Sequence, residues 1–371
     1  MNKFVFRPVG QGLFYTGSLN CGRFNFVYDC GTENRQKLIK KEIENYIGEF
    51  NENRNQNNRP IIDFVVISHL HQDHFSGLYE LTKKAYIKKI YLPFLNYNLD
   101  VIRLYLFYDI YSNNNDEENR NENNWEEKDG LYNLMISLYN NDRGNNKENI
   151  GGVHFIKNTE SVKNSHLLWE FKFFNKEPQS EKVKSINEKC EKFIQNSGCK
   201  DMEEFISKNK KNIDVISSAY RKIFGSGKSM NDTSILMLHY PINRIKCILY
   251  INYNCYMHFN NCFCNQSMFD KPSNGITLLT GDISFNSFIA NELKKFLGGN
   301  EIFIFQIPHH GAKENWNSVC KNSIEAKIYV LSFGYGNKYK HPHTNVIDDL
   351  MIKNKKYYCV TQNQGFIYYI I

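Results

Sequence analysis

The chain has 371 residues, of which 41% are hydrophobic and 15% aromatic, and this is ample for a large buried core. Its 46 Lys and Arg against 39 Asp and Glu leave a net charge of +7, which is compatible with polyanionic substrates without requiring them. No apolar run approaches the roughly 20 residues that a membrane span needs, and the start of the chain reads as a strand rather than a secretory signal. With ten cysteines in no regular framework, we expect a cytoplasmic protein with reduced thiols and no membrane partner.

The opening region reads as three strands followed by a helix. Apolar and β-branched runs separated by Gly-rich turns predict the strands, and apolar residues at helical spacing predict the helix. The third strand ends in a carboxylate, Asp29. The predicted elements are strands over 4–8, 13–17 and 23–29 and a helix over 33–50.

The most informative stretch is a histidine-rich turn that follows an apolar strand predicted over 64–67. His69 and His71 are two residues apart, so in an extended chain their side chains point to the same side. Asp73 and His74 come directly after them. Imidazoles and carboxylates are the ligand types that zinc, manganese and iron prefer. The stretch therefore predicts a metal site rather than a surface loop that happens to be rich in histidine.

Alternation of strand and helix around this turn predicts a layered α/β fold. Residues 96–224 are expected to form a mostly helical insertion, which includes a polar surface excursion over 112–129. A smaller excursion is expected over 253–274. Before it, two strands over 234–240 and 244–252 are expected to pair with each other as a hairpin.

Later strands also end in polar residues that could take part in a metal site. Seven of the eleven histidines lie in three clusters, one of them the turn described above. Asp282 follows one apolar strand, and the other two clusters, His309 with His310 and His341 with His343, follow two more. Polar side chains at the ends of successive strands predict a site on one rim of a β-sandwich.

The box His-x-His-x-Asp-His that begins at His69 resembles the signature of the metallo-β-lactamase fold superfamily. Several further motifs are similar to the soluble metal domain of ComEC-type competence proteins, which import DNA. The resemblance covers 1–95 and 225–371 and leaves 96–224 unmatched. The further motifs are Gly10-Gln11-Gly12, the run from Asn231 to Leu236, Leu278-Leu279-Thr280-Gly281-Asp282, Pro308-His309-His310-Gly311 and His341-Pro342-His343-Thr344.

This resemblance implies a fold and a ligand set. The fold is a four-layer αββα metallo-β-lactamase sandwich of the α/β class, a single domain over 1–371 with a largely helical insertion. The implied cofactors are two divalent metal ions, with zinc expected and manganese as the alternative. The implied metal ligands are His69 and His71 on the first metal, Asp73 and His74 on the second, Asp282 bridging both, and His341 last, with His343 as its substitute.

Two other aspects of the site follow from the same resemblance. Many members of the superfamily have a third histidine on the first metal, and Asn231 stands at about that place here. Because an amide is a poor zinc ligand, the first site is expected to be weaker, more open or filled by manganese. Asp73, His309 and His310 are the expected catalytic residues, which orient the attacking group or stabilise and protonate the leaving oxygen.

The leading functional hypothesis is a hydrolase that uses a metal-bound hydroxide to cleave phosphodiesters, which makes it a phosphodiesterase or nuclease acting on nucleic acid or a nucleotide. One alternative is a carbonyl-ester hydrolase of the same fold, acting on a lactone, thioester or β-lactam. A second alternative is a non-catalytic, metal-bound binding module that uses the insertion at 96–224 to hold a partner. The sequence indicates no particular protein partner.

Overall fold

A computed structural model describes most of the chain. For 122–124, 232, 248–254 and 267–269 only the backbone is described. The described residues are 1–34, 36–50, 53–112, 122–140, 149–225, 231–243, 248–254, 267–269 and 275–371.

The first of two large sheets has nine strands within the described residues. In spatial order these are β13 (Ser267–Phe269), β12 (Ile248–Asn254), β18 (Gln364–Ile370), β1 (Asn2–Phe6), β2 (Phe14–Leu19), β3 (Phe24–Cys30), β5 (Phe64–Val66), β7 (Ile90–Pro93) and β8 (Val153–Ile156). Strands β3, β5, β7 and β8 run parallel to one another. Their carboxyl ends therefore meet at one edge of the sheet.

The second sheet has seven strands within the same described ranges. In spatial order these are β17 (Tyr357–Val360), β16 (Ala326–Ser332), β15 (Ile302–Gln306), β14 (Ile276–Leu279), β11 (Leu236–Pro241), β10 (Trp169–Phe174) and β9 (Thr159–Asn164). Strands β14 to β17 are parallel, so this sheet also gathers several carboxyl ends at one edge. A separate pair joins β4 (Ile61–Ile62) to β6 (Tyr86–Ile87).

Helices cover the outer face of each sheet. On the first sheet they are α1 (Gln36–Gly48), α3 (Leu78–Lys84), α4 (Leu99–Ser112), α5 (Glu122–Tyr139), α6 (Ser180–Ser197), α7 (Met202–Asn209) and α8 (Ile213–Phe224), with the one-turn helix α2 (Gln72–Phe75) at its edge. On the second sheet they are α9 (Ser287–Leu297), α10 (Ser318–Ser323) and α11 (Thr344–Ile352).

The core has three parts because side chains alternate across each strand. In β3, Phe26 and Tyr28 pack between the two sheets, whereas Val27 packs against the helices of the first sheet. In β11, Met237 faces the first sheet, whereas Leu238 faces the outer helices. The layers are therefore helix, sheet, sheet and helix. The predicted four-layer α/β sandwich is confirmed.

The region predicted as an insertion, 96–224, contains helices α4 to α8, and three strands lie between them. Strand β8 joins the first sheet, while β9 and β10 join the second. Helices α4 and α5 therefore lie between β7 and β8, and helices α6 to α8 lie between β10 and β11. The division of the chain into domains stays a prediction. Most of the predicted excursion at 253–274 lies outside the described residues.

The hairpin predicted from strands 234–240 and 244–252 is wrong. Strand β11 pairs with β10 and β14 in the second sheet. Strand β12 pairs with β18 and β13 in the first sheet. An apolar pattern indicates a strand without specifying its neighbour, and here consecutive strands belong to different sheets.

In the part of the chain that the structure describes, none of the helices combines the length and the apolar character required to cross a bilayer.

Candidate metal centre

The candidate site lies where carboxyl ends of strands from both sheets come together. Within each of two groups of side chains, one donor atom per residue lies within 4.8 Å of the others. Asp282, which follows β14, belongs to both groups. The groups are Asp73, His74, Asp282 and His310, and His69, His71 and Asp282.

The histidine-rich turn has the local conformation that its spacing predicts. Strand β5 ends at Val66, and His71 is the extended N-cap residue of α2. Asp73 and His74 lie within that short helix. His74 is fully buried and Asp73 is 7% exposed, so both donors are removed from bulk water. Strand, extended turn and helical turn together direct the donors of the box to one place.

Asp29 orients His74. Its Oδ2 lies 2.7 Å from Nδ1 of His74, so Nδ1–H donates to the carboxylate and the neutral ring keeps its lone pair on Nε2. The backbone N–H and the hydroxyl of Ser68 also donate to Asp29, at 2.6 Å and 2.7 Å. A carboxylate that fixes the tautomer of a histidine in this way is the usual second partner of a metal-binding imidazole.

Ser68 orients His69 by the same logic. Because the Ser68 hydroxyl donates its hydrogen bond to Asp29, its oxygen is left to accept one from Nδ1–H of His69 at 3.0 Å. The lone pair of His69 is therefore on Nε2, and this atom faces Nδ1 of His71 at 3.0 Å. Two ring nitrogens directed at one another in this manner are suited to share a cation.

His310 also presents Nε2 to the site. Its Nδ1–H donates to the carbonyl oxygen of Ser332 at 2.8 Å. Its Nε2 lies 2.9 Å from Oδ2 of Asp73. Two acceptors cannot face each other at this distance unless a proton or a metal ion lies between them. The contact therefore requires an imidazolium or a bound cation.

The residues fit a divalent metal ion because buried donor atoms converge without being satisfied. Nε2 of His74 and Oδ1 of Asp282 have no hydrogen-bond partner among the described residues. They are 3.2 Å apart, but their orientation is not that of a hydrogen bond. Buried polar atoms without partners are costly, and a shared cation would satisfy both. Mixed imidazole and carboxylate donors suit zinc, manganese or iron.

The pKa shifts of Asp282 and His74 show that the carboxylates and imidazoles of the site stabilise one another's charged forms. Burial opposes ionisation of Asp282, but His309, His74 and His310 outweigh burial and hold the pKa of Asp282 well below its usual range. Burial also opposes a charge on His74, yet Asp73, Asp282 and Asp29 raise its pKa well above the usual value. Three carboxylates around one imidazole therefore call for positive charge at this position.

The first group favours neutral imidazoles. Burial, together with the nearby His74, lowers the pKa of His69 well below its usual value. Burial likewise lowers the pKa of His71. The neutral ring is the form that binds metal, so this half of the site is poised for a cation at neutral pH.

The remaining predicted residues lie beside these groups. His309 donates from Nδ1 to Oδ1 of Asn315 at 2.9 Å and places Nε2 3.4 Å from Oδ2 of Asp282. The ring of His341 is 5.2 Å from that of His309, and Nδ1 of His341 is buried without a hydrogen-bond partner in the described chain. His343 accepts from the backbone N–H of Lys313 through Nδ1 at 3.2 Å.

The structure thus groups His310, rather than His341 or His343, with Asp73 and His74. The roles assigned to these residues stay predictions. Asn315 was not indicated by the sequence, because an asparagine in a loop carries no signal of its contacts. Its amide nitrogen donates to the carbonyls of Asp282 and Ile283 at 2.9 Å and 3.0 Å. Asn315 therefore links the backbone of Asp282 to the ring of His309.

The expectation for Asn231, at the place of a third histidine on the first metal, stays a prediction. Asn231 is 8% exposed and lines the same cavity as His71 and Asp282. Its Oδ1 is buried and has no hydrogen-bond partner in the described residues. An amide oxygen is a hard donor, better suited to manganese than to zinc.

Two glycines allow the chain to pass closely behind the box. A Cβ on Gly31 would lie 2.4 Å from backbone atoms of Asp73 and His74. A Cβ on Gly12 would lie 2.4 Å from the carbonyl oxygen of Gly31. Leu13 N–H donates to the Asp73 carbonyl at 3.1 Å, which fixes this approach. The Gly-Gln-Gly turn therefore supports the donor-bearing backbone from behind.

A cavity of about 400 Å³ opens onto the donors. Helix α4 forms one of its walls through Tyr108, Asp109 and Ser112. From the same helix, the buried Tyr105 stacks on His71, with ring centroids 6.0 Å apart and planes at 30°. The region without a match in the sequence resemblance therefore touches the candidate metal centre directly.

Comparison with known families finds a match to part of the chain. Residues 22–111 match the family model described as the metallo-beta-lactamase superfamily. This range contains Asp29 and the whole His-x-His-x-Asp-His box, whereas Asp282 and His310 lie beyond it. No curated protein matches the chain. Members of this superfamily are usually hydrolases, while the closer resemblance to ComEC-type proteins stays a prediction.

Proposed function

We propose that the protein is a hydrolase of phosphodiesters that works with two divalent metal ions, zinc or manganese. The observation that supports the proposal is the sharing of Asp282 between two groups of donors, all of them buried except the partly buried His71. One carboxylate between two cations is the arrangement used for in-line displacement at phosphorus. Nucleotides or nucleic acid are the proposed substrate class, which the net charge of +7 supports only weakly.

The ions would be held by the two donor groups. His69 and His71 would bind the first, with Asn231 beside them, and Asp73, His74 and His310 would bind the second. When bound, such ions polarise a phosphoryl oxygen and lower the pKa of a coordinated water to about 7.

The chain itself would position and transfer protons. Burial opposes ionisation of Asp73, but the nearby His74 and His310 outweigh burial and hold the pKa of Asp73 below its usual value. The ionised Asp73 would orient the attacking water. The His309 side chain is 24% exposed and has its Nε2 beside Asp282, so it would lie near the leaving oxygen and donate a proton to it.

The test is to load the purified chain with zinc or manganese and offer four substrates. These are bis-p-nitrophenyl phosphate, single-stranded DNA, a lactone and a thioester. We expect stoichiometric metal by elemental analysis and hydrolysis of the phosphodiesters. Turnover of only the lactone or thioester would establish the carbonyl-ester alternative. Normal metal content with no turnover of any substrate would favour the binding module.

Variants tie any activity to the site. Asp282→Asn should lower both metal content and phosphodiester hydrolysis, the latter by more than about a hundredfold, since even outer partners of metal ligands contribute that much. Asp348→Asn makes the same chemical change on the exposed face of α11 and should leave both unchanged. Equal activity of the two variants would place the chemistry elsewhere.

A further inference from the structure

His71 differs from the other candidate ligands in what holds its ring. A metal-binding histidine usually donates a hydrogen bond from the ring nitrogen that faces away from the metal, and this bond fixes the ring. Three histidines of the site have such a partner, which is Ser68 for His69, Asp29 for His74 and the carbonyl oxygen of Ser332 for His310. Within the described ranges His71 has none, because the hydrogen-bonding contact of its ring there is the 3.0 Å approach of Nδ1 to Nε2 of His69.

The backbone does not fix the His71 ring either. His71 is the extended N-cap residue of α2, with φ of −114° and ψ of 144°, and its side chain makes no capping hydrogen bond. Nδ1 faces His69, so Nε2 is the nitrogen that lacks a partner among the residues that the structure describes. A ring that turns freely must be ordered when a metal binds, and this ordering lowers affinity. The orientation of the His71 ring therefore depends on packing.

Tyr105 on α4 supplies that packing. Its ring stacks on the ring of His71, with centroids 6.0 Å apart and planes at 30°. His69 contacts His71 edge to face, with ring centroids 4.8 Å apart and planes at 81°. Both separations lie in the range of favourable contacts between aromatic rings. Turning the His71 ring away from the site would break its stacking on Tyr105.

The Tyr105 ring is itself held in place by α8. The residue is 2% exposed. The Phe224 ring lies 5.7 Å from the Tyr105 ring between centroids, with planes at 71°, and the Tyr220 ring lies 6.1 Å from it. Tyr220 in turn stacks on Tyr108 of α4, with centroids 3.9 Å apart. An aromatic cluster from both helices therefore lies against His71.

We propose that Tyr105 is a positioning residue for the first metal. Its ring holds His71 in the orientation in which Nδ1 faces Nε2 of His69, and so replaces the hydrogen bond that orients the other ligands. Helices α4 and α8 thereby set the affinity of the first site without contributing a ligand to it. In the described part of the chain, the rings that Tyr105 contacts are those of His71, Tyr220 and Phe224, so the second site does not depend on it. The inference rests on the two-metal centre of the proposed function and adds a residue that controls how tightly its first site is filled.

The experiment titrates the apoprotein with zinc and with cobalt and resolves the binding steps by calorimetry and, for cobalt, by visible absorbance. His71→Ala identifies the step of the first site as the step that this variant loses. Tyr105→Leu keeps much of the buried apolar volume but has no aromatic ring. We expect it to lower the affinity of the first-site step about tenfold, as loss of an outer partner of a metal ligand does. The affinity of the other step should stay that of the parent.

Two further variants separate positioning from stability. Tyr105→Phe keeps the ring, so it should restore both the first-site affinity and the cobalt spectrum of the parent. Tyr111→Leu is the matched control, because Tyr111 is a buried tyrosine of the same helix whose ring stacks on Phe107 rather than on a candidate ligand. We expect Tyr111→Leu to lower the free energy of unfolding in urea and to leave the first-site affinity unchanged.

Circular dichroism establishes that each variant is folded before it is titrated. If Tyr105→Leu does not fold, Tyr220→Leu takes its place, since it removes one of the rings behind Tyr105 at a half-buried position. It should weaken the first-site step in the same direction, and an unchanged step would then overturn the inference.

The inference fails if Tyr105→Leu leaves the first-site step unchanged, or if both steps weaken equally. It also fails if Tyr105→Phe binds as weakly as Tyr105→Leu, or if Tyr111→Leu reproduces the loss. A parent without a binding step that depends on His71 overturns it as well. Failure of the proposed function is distinguishable, because a protein that binds both metals and hydrolyses no phosphodiester still gives the affinities that decide the role of Tyr105.

Discussion

Asp29 and His74 are joined by a 2.7 Å hydrogen bond inside the sandwich, with both side chains fully buried. The bond determines which nitrogen of His74 faces the candidate metal centre. An asparagine at position 29 would present an amide that can donate as well as accept, so the tautomer of His74 would no longer be fixed. We expect Asp29→Asn to weaken metal binding by about 10- to 100-fold.

The measurement is a titration of apoprotein with cobalt or zinc, followed by absorbance or calorimetry. Asp348→Asn, on the exposed face of α11, is the control and should bind as the parent does. A parent-like affinity for Asp29→Asn with an intact fold by circular dichroism would remove Asp29 from the site.

Gly31→Ala tests the close approach of β3 to the box. The new methyl group would lie 2.4 Å from backbone atoms of Asp73 and His74, which cannot move aside as a flexible side chain can. We expect the free energy of unfolding to fall by about 1–3 kcal/mol, as for other overpacked sites. Metal affinity should fall with it, because the strained backbone carries two donors.

Gly48→Ala is the matched control for that substitution. A Cβ there meets nothing within 4 Å, and the residue lies at the end of α1. Chemical denaturation should show this variant equal to the parent or more stable, by up to about 1 kcal/mol. If Gly31→Ala and Gly48→Ala were equally stable, the backbone near the box would have to shift to accommodate the new methyl group without lowering the free energy of unfolding.

Asn231→His supplies an imidazole where the cavity now holds an amide oxygen. Because imidazole is a better zinc ligand than an amide, zinc affinity should rise by about tenfold, and the preference for zinc over manganese should rise with it. Competition between the two metals, measured by elemental analysis after dialysis, reports both quantities. Asn231→Ala, which removes the donor, should not increase zinc affinity; if both variants behave alike, residue 231 does not contact the metal.

Because of His239, we expect the stability of the fold to fall in acid independently of the metal centre. It is fully buried between the sheets, and its Nε2 lies 2.6 Å from the Tyr15 hydroxyl. Burial lowers its pKa to about 3. Between pH 6.5 and about 3 the unfolded state binds one more proton at this residue, so stability falls as the pH falls, by about 1.4 kcal/mol per pH unit.

Unfolding of the metal-free protein in urea at several pH values measures this slope. His239→Gln should be less stable at neutral pH but should show a shallower loss over the same range. His166→Gln, at an exposed position, should reproduce the parent slope. A parent-like slope in His239→Gln would assign the acid sensitivity to other groups.

Much of the site could be predicted from the sequence because its donors follow apolar strands. His69, His71, Asp73 and His74 lie close together in the sequence, and an extended turn after a buried strand leaves few ways to arrange them. Asp282 likewise follows a strand whose apolar run is clear. In such cases the backbone conformation that aims the side chain is regular, and regular conformations are what sequence patterns indicate.

The grouping of His310 could not be predicted in the same way. His309 and His310 adopt positive φ angles of 50° and 54°, which are uncommon for residues other than glycine. This turn directs His310 towards Asp73, and the spacing of residues in the sequence does not predict such a turn. The start of α5 at Glu122 was missed for a related reason. A polar stretch expected as a loop is helical where Trp125 packs against the core beneath it.

The chain leaves the second sheet after Phe174, forms the three helices α6 to α8, and re-enters the same sheet at Leu236. Phe174 and Leu236 are direct partners across β10 and β11. The separation of the ends of this segment is therefore set by a strand pair, whatever number of residues intervenes. Closing a longer loop adds only about 0.6 kcal/mol for each doubling of length. The segment 175–224 is thus a place where whole helices could be lost, gained or exchanged between relatives while β10 and β11 stay paired, which makes it a natural position for grafting a foreign module.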